Sequence, residues 1–201
     1  MASAGRHRGG HEVQVRQLSR WTAGLVAVAT VGASTACGGT QEASTTAAPE
    51  RNRPAGTERA AEEAAAEKAA LAAYSGYLKA SRAASRRSDP QEPELTRFLA
   101  DPLLTRVRFS LRQARQNGAV SAGTLRSEGP AVISMDLDAS PPTVEIQDCV
   151  DASDYRLVYL ADDKVVPGTR GSRHLATATA ARYPDGRWRI STGAAHQDQP
   201  C

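Results

Sequence analysis

The chain has 201 residues, enough for one ordinary domain plus extensions, and only 4% of it is aromatic. Its formal charge of +3 belongs mostly to the first 36 residues; beyond them 21 basic residues face 21 acidic ones. That balance leaves no surplus of positive charge to replace counterions on phosphates, so nucleic acid is not an expected partner.

Residues 1–36 read as an export signal. A basic, polar stretch carrying Arg6, Arg8, Arg16 and Arg20 precedes the uncharged apolar run from Trp21 to Gly32. Small residues follow, which is the order a secretory leader requires. The apolar run is shorter than the ~20 residues that span a bilayer. Ser34-Thr35-Ala36-Cys37-Gly38 resembles a bacterial lipobox, in which the leader is cut before a cysteine that carries lipid. Ser34 stands where leucine is usual. Cleavage by ordinary signal peptidase, releasing a soluble protein, is therefore the alternative. The chain has three cysteines, and in an exported protein a lipid thioether on Cys37 would account for the odd one. The expected location is the outer face of the cell membrane, with the secreted soluble form as alternative.

Residues 37–57 are the lipidation cysteine and a flexible tether. From Gln41 to Thr57 no aliphatic residue exceeds alanine, so the segment cannot bury enough surface to offset chain entropy. The folded domain is expected over residues 58–201. Its first element is a long helix from Glu58 to about Arg87, alanine-rich and capped by Thr57. Leu71, Tyr74, Tyr77 and Leu78 fall on one face at three- and four-residue spacing. The face before Leu71 holds only alanine, so the first turns are expected to project. Arg82, Arg86 and Arg87 suit the negative end of the helix dipole.

Ser88 to Pro93 breaks the helix. A short helical piece covers Glu94 to Ala100, and Asp101-Pro102 reads as a cap followed by proline at the first helical position. Leu104, Val107, Leu111 and Ala114 mark the buried face of the next helix, which Asn117-Gly118 ends. The remainder reads as sheet. Val120 to Arg126 forms a first strand. In the segment from Val132 to Asp138, Ile133, Met135 and Leu137 alternate with polar residues. Val144 and Ile146 share a face of the next strand, Tyr155 to Leu160 follows, and Leu175 to Tyr183 turns at Pro184-Asp185-Gly186 into Arg187 to Ser191. Tight turns make neighbouring strands antiparallel. Three helices followed by five or six antiparallel strands indicate an α+β domain.

A lipobox-like leader, an alanine-rich helix after a tether, Asp148-Cys149-Val150-Asp151, Gly186-Arg187-Trp188 and a terminal Cys201 occur together here. That combination resembles secreted actinobacterial lipoproteins of unassigned function, over about residues 60–201. The resemblance implies an NTF2-like, cystatin-like cone, a curved sheet wrapped around helices. Such cones host enzymes, binding modules and assembly partners alike, so the fold does not select a function. No tyrosine–acid pair like that of ketosteroid isomerases can be placed by motif.

Candidate chemistry is sparse. Cys149 and Cys201 are expected to form a disulfide in an oxidising compartment. Neither lies at a helix start or in Cys-x-x-Cys spacing, as a reactive thiol would. Asp148, Asp151 and Asp154 recur every third residue near Asp136 and Asp138, which would suit calcium. The glycine and closing glutamate of a calcium loop are absent, and aspartates at strand ends usually cap turns. His174 and His196 show no zinc-ligand spacing; His196 is expected on the surface. No nucleophile elbow, phosphate loop or dinucleotide fingerprint is present. No catalytic residue, cofactor or metal is therefore expected. The expected protein is an exported, lipid-anchored, non-catalytic binding or interaction domain, its partner an envelope protein or small ligand. The alternative is a cone that binds or transforms a small apolar molecule, which needs an open pocket and a desolvated acid among Asp136, Asp148 and Asp151 facing a polar partner; it fails if all three point to solvent.

Overall fold

The computed structural model describes residues 55–201. The export leader, Cys37 and the tether up to residue 54 lie outside them. Helices α1 (Ala55–Arg87), α2 (Pro93–Phe98) and α3 (Leu103–Gln116) come first. Seven strands follow: β1 (Ala119–Ala122), β2 (Arg126–Ser127), β3 (Ala131–Asp136), β4 (Thr143–Asp151), β5 (Arg156–Tyr159), β6 (Arg173–Arg182) and β7 (Trp188–His196). The domain is α+β, as helices segregated before antiparallel strands require. The strands form a five-stranded sheet and a separate β1–β5 ribbon, rather than one sheet of five or six. Among the described residues no helix is long and apolar enough to cross a membrane.

Strand β4 organises the larger sheet. It pairs along its whole length with β6, from Thr143 opposite Ala181 to Asp151 opposite Arg173. Its other edge is shared by β3 near the start and β2 near the end, and β7 closes the far side against β6. Val144, Ile146, Asp148 and Val150 alternate inward along β4. Val144 and Ile146, with Ala178, Ala180 and Ile190, meet Leu95, Leu103, Leu111 and Tyr74 from the helices and Leu99 just beyond α2.

Alanine sets how closely α1 approaches. Ala66, Ala70, Ala73, Ala80 and Ala84 are all buried. Before Leu71 only Ala66 and Ala70 are buried, where a methyl group lets the helix backbone lie near the sheet; residues 56–65 are all exposed, as expected of turns that project. Arg59 extends the contact by bonding Asp138 at the β3–β4 turn. Helix α1 starts at Ala55, so Thr57 lies inside it rather than capping it. At Gly76 an added Cβ would lie 2.2 Å from the Phe98 ring, so this position brings α1 and α2 into contact.

Three local expectations shift for physical reasons. Asp101 does cap α3, through Oδ1 accepting from Thr105 N and Oγ1, but Pro102 is the N-cap and the helix starts at Leu103. The strand expected from Val120 to Arg126 divides into β1 and β2, which join different sheets. Gly123 causes the break: its φ is +81°, and a Cβ there would lie 1.9 Å from the Asp154 carbonyl oxygen. Strand β7 runs on to His196, longer than its sequence pattern indicates.

In β3 the inward set is also different. The register slips between Val132 and Ser134, so Val132 and Met135 face the core while Ile133 is 57% exposed. A bulge adds one residue and reverses the alternation beyond it. Ile133→Ser is accordingly expected to change stability by no more than about 0.5 kcal/mol, and Met135→Ser to cost about 1–3 kcal/mol. Urea unfolding of the two variants would reverse this register if Ile133→Ser proved the costlier.

Candidate functional site

The acids weighed as ligands or catalysts go to separate tasks. Asp136 accepts backbone bonds from Asp138 and Ala139 and shapes the β3–β4 turn. Asp151 bonds the backbone and hydroxyl of Ser153. Its carboxyl is held below the usual range, first by that hydroxyl and then by the Ser153 N–H. Asp154 pairs with Arg156 and accepts from Thr124. These are turn-shaping roles, and among the described residues no three or more metal-type side chains gather.

Asp148 is different: it is 2% exposed. Its Oδ2 accepts from the Tyr74 hydroxyl at 3.1 Å and its Oδ1 from Gly129 N at 3.2 Å. Burial first, and then the neighbouring carboxylate, pushes the Tyr74 phenol far above its ordinary value of 10.0. The phenol therefore stays protonated and donates. The pair ties α1 to β4 and to the loop before β3, shut away from solvent. Motif reading could not place a tyrosine–acid pair, because 74 residues separate the two. A usable signal did exist: Asp148 occupies the same strand parity as Val144 and Ile146.

Cys149 and Cys201 are paired as a disulfide, with Cα atoms 5.8 Å apart. It lies on the outward side of β4, beside the Arg173–Glu128 ion pair, and fastens the chain's last residue to the central strand. His174 is buried, with Nδ1 against the Ser172 carbonyl. His196 ends β7 partly buried, its Nε2 2.9 Å from the Thr177 hydroxyl, rather than lying in a surface tail. The two histidines serve local contacts. Arg156 and Arg189 each pair with a nearby aspartate, Asp154 and Asp185.

The helix-facing side of the five-stranded sheet is filled at its centre: Val144, Ile146, Ala180 and Ile190 are 0% exposed. A cavity of about 300 Å³ lies elsewhere, between α1, α3 and the segment leading into β5. Tyr77, Ser81, Ser85 and Ser88 of α1 and the following turn form one wall. Leu103, Val107, Leu111 and Ala114 of α3 form the opposite wall, with Arg106 and Ser110 at its exposed edge. Tyr155 and Leu157 close the end. Spacings of four residues align the Tyr77, Ser81 and Ser85 hydroxyls along α1, by the same geometry that aligns the apolar residues of α3; Ser88 follows in the turn, at φ +46°. Burial raises the Tyr77 phenol, partly offset by Arg106. It also raises the Tyr155 phenol, an effect that bonds to Ser85 and Ser121 partly offset. Both hydroxyls are thus neutral groups able to donate and accept. No motif marks this cavity in the sequence; its signal is the hydroxyl stripe on a helix face that continues the buried one.

No protein-family profile matches this chain, and no curated protein matches it. Among solved structures it is similar to the intermembrane space region of chloroplast protein ARC6, at 17% identity and a TM-score of 0.48. That match covers 64% of this chain and 95% of the other. A likeness at this level carries no argument about function.

Proposed function

We propose that this is an exported, lipid-anchored cell-envelope protein whose folded domain is a non-catalytic binding module. The fold proposed for it is an NTF2-like cone like that of the actinobacterial lipoproteins that its motifs resemble. The observation that carries the binding reading is the closed centre of the sheet's inner face, with Ile146 and Ile190 at 0% exposure. An acid-using cone would need a carboxylate facing a pocket. Here Asp136 and Asp151 shape turns; Asp148 is desolvated and faces a polar partner, Tyr74, as that alternative requires, but it is closed in by Tyr74 and Gly129 at 2% exposure rather than opening on a pocket. Binding is then left to the outward sheet face or to a cavity outside the sheet. On the outward face, Thr192 donates to Thr179 and Thr179 to Glu145, a polar surface across three strands.

The anchor rests on the basic leader, the uncharged apolar run and Cys37 in its small-residue setting. Mass spectrometry of protein extracted from its own envelope in mild detergent tests it. The expected denatured mass is that of residues 37–201 plus diacylglycerol and acyl chains, less two hydrogens for the bridge. Cys37→Ser is expected to move the protein from the membrane fraction to the soluble one. A bare polypeptide mass, or a membrane fraction unchanged by Cys37→Ser, would overturn the lipid anchor.

A further inference from the structure

We propose that the outward face of α3, where arginines surround Phe109, docks on a lipid bilayer bearing anionic headgroups and holds the folded domain against it. For its location this rests on the lipid-anchor reading; the docking itself is a property of the helix. The face lies opposite the apolar stripe of Leu103, Val107 and Leu111, which turns to the core.

Helix α3 carries Arg106, Arg108, Arg112 and Arg115 and no acid. Among the described residues none of the four is ion-paired, whereas Arg59, Arg97, Arg156 and Arg189 each meet a carboxylate. Arg106, Arg112 and Arg115 are exposed and Arg108 is half-buried. Arg106 reaches the Gly193 carbonyl, a neutral acceptor, at 3.4 Å. Arg108, Arg112 and Arg115 follow at four- and three-residue spacing, so like charges adjoin along the helix and destabilise it. The helix dipole favours Arg115 near the C-terminus but opposes Arg106 near the N-terminus. A face that meets only water is better served by mixed signs, as Arg59 and Glu63 show in α1. An anionic surface supplies the missing countercharge.

Phe109 adds an apolar point to this face. It is 54% exposed, while the chain's other phenylalanine, Phe98, packs against the core. Its neighbours on the helix surface are Thr105, Arg106, Arg112 and Gln113, three and four residues away. Arginines with an exposed aromatic ring are what interfacial helices present to a bilayer. The aliphatic stripe of α3 is already buried in the core, so only the ring enters the headgroup layer and the remaining attraction is electrostatic. The nearest acids leave a positive excess. Asp101 caps the helix start through Thr105. At the other end, the hairpin that meets Gly118 carries Asp162, paired with Lys164, and Asp163. The tether permits the contact. Ser81, beside α3, lies about 40 Å along α1 from Ala55. The 18 residues from Cys37 to Pro54 reach up to about 60 Å when extended.

The mature chain from residue 37, carrying Cys37→Ser, tests the face without a lipid of its own. It is co-sedimented with vesicles of phosphatidylcholine, alone or mixed with phosphatidylglycerol. Binding is expected only with phosphatidylglycerol and should weaken as salt rises, because salt screens the attraction. Arg112→Gln and Arg115→Gln should each weaken it about five-fold, the worth of one cation at an anionic membrane surface. Lys68→Gln, which removes an exposed cation from the N-terminal half of α1, should leave it unchanged. All three positions are exposed, so urea midpoints should stay the same. Phe109→Trp puts a fluorescent reporter at the ring's position. Brominated lipid in phosphatidylglycerol vesicles is expected to quench it, beyond any quenching of Trp188 in the parent chain. No binding, equal binding to neutral vesicles, equal losses from Lys68→Gln and Arg112→Gln, or no added quenching in Phe109→Trp would each overturn the proposal. Self-association that the arginine substitutions abolish, without vesicle binding, would give the face to a second copy instead. The anchor is judged separately, by the mass of the envelope-extracted protein. A bare polypeptide that still binds phosphatidylglycerol vesicles would sink the anchor and leave the helix face standing.

Discussion

Replacing Cys149 and Cys201 together by serine is expected to lower the unfolding free energy by about 4 kcal/mol. The two cysteines are 52 residues apart in sequence, and a loop of that size restricts the unfolded chain strongly. The folded chain gains little from the bridge beyond this. Strand β6 already links β4 to β7 through continuous ladders, and Leu175 N bonds the Gln199 carbonyl near the terminus. The effect should therefore appear as a lower denaturation midpoint with little change in the folded amide spectrum. The single variant Cys149→Ser should match the double, because either removes the cross-link. Guanidinium unfolding under oxidising conditions measures it. A loss below about 1 kcal/mol would mean that the unfolded ensemble already holds these ends together.

The bridge is legible in the sequence because cysteine arithmetic ignores distance along the chain. Helix α3 is legible for a local reason, since Leu104, Val107, Leu111 and Ala114 repeat at helical spacing. The β3–β4 and β6–β7 pairings are legible from their turns, but the pairing of β4 with β6 across β5 is not. What cannot be read depends on single-residue offsets or on long-range pairing. One extra residue in β3 exchanges Ile133 for Val132 on the inner face, and alternation alone carries no mark of it. The positive φ of Gly123 splits what reads as one strand between two sheets. Ser81 and Ser85 read as ordinary polar helix positions until α3 is placed opposite them. Tyr74 and Asp148 each sit in a plain local sequence; only the docking of α1 on β4 makes them a pair.

That pair also predicts how the fold fails in alkali. Tyr74, Tyr77 and Tyr155 all have phenols raised above the ordinary value of 10.0, in each case first by burial. Below the unfolded value both states keep the proton, and the stabilising contribution is fully present. Above it the unfolded chain releases a proton that the folded chain retains, so stability falls as pH rises towards the folded value. For Tyr74 the slope approaches about 1.4 kcal/mol per pH unit above about pH 10, and the other two tyrosines steepen the decline. Tyr74→Phe separates two effects of one hydroxyl. At neutral pH the variant should lose about 1–3 kcal/mol, because Asp148 keeps only the Gly129 N–H as partner. In alkali its decline should be shallower by one proton, because one titrating phenol is gone. The wild-type and variant stability curves should thus converge as pH rises. Urea midpoints from about pH 8 to 11 would show it; parallel curves would mean that Tyr74 ionises in the folded chain and that its bond to Asp148 does not hold the proton.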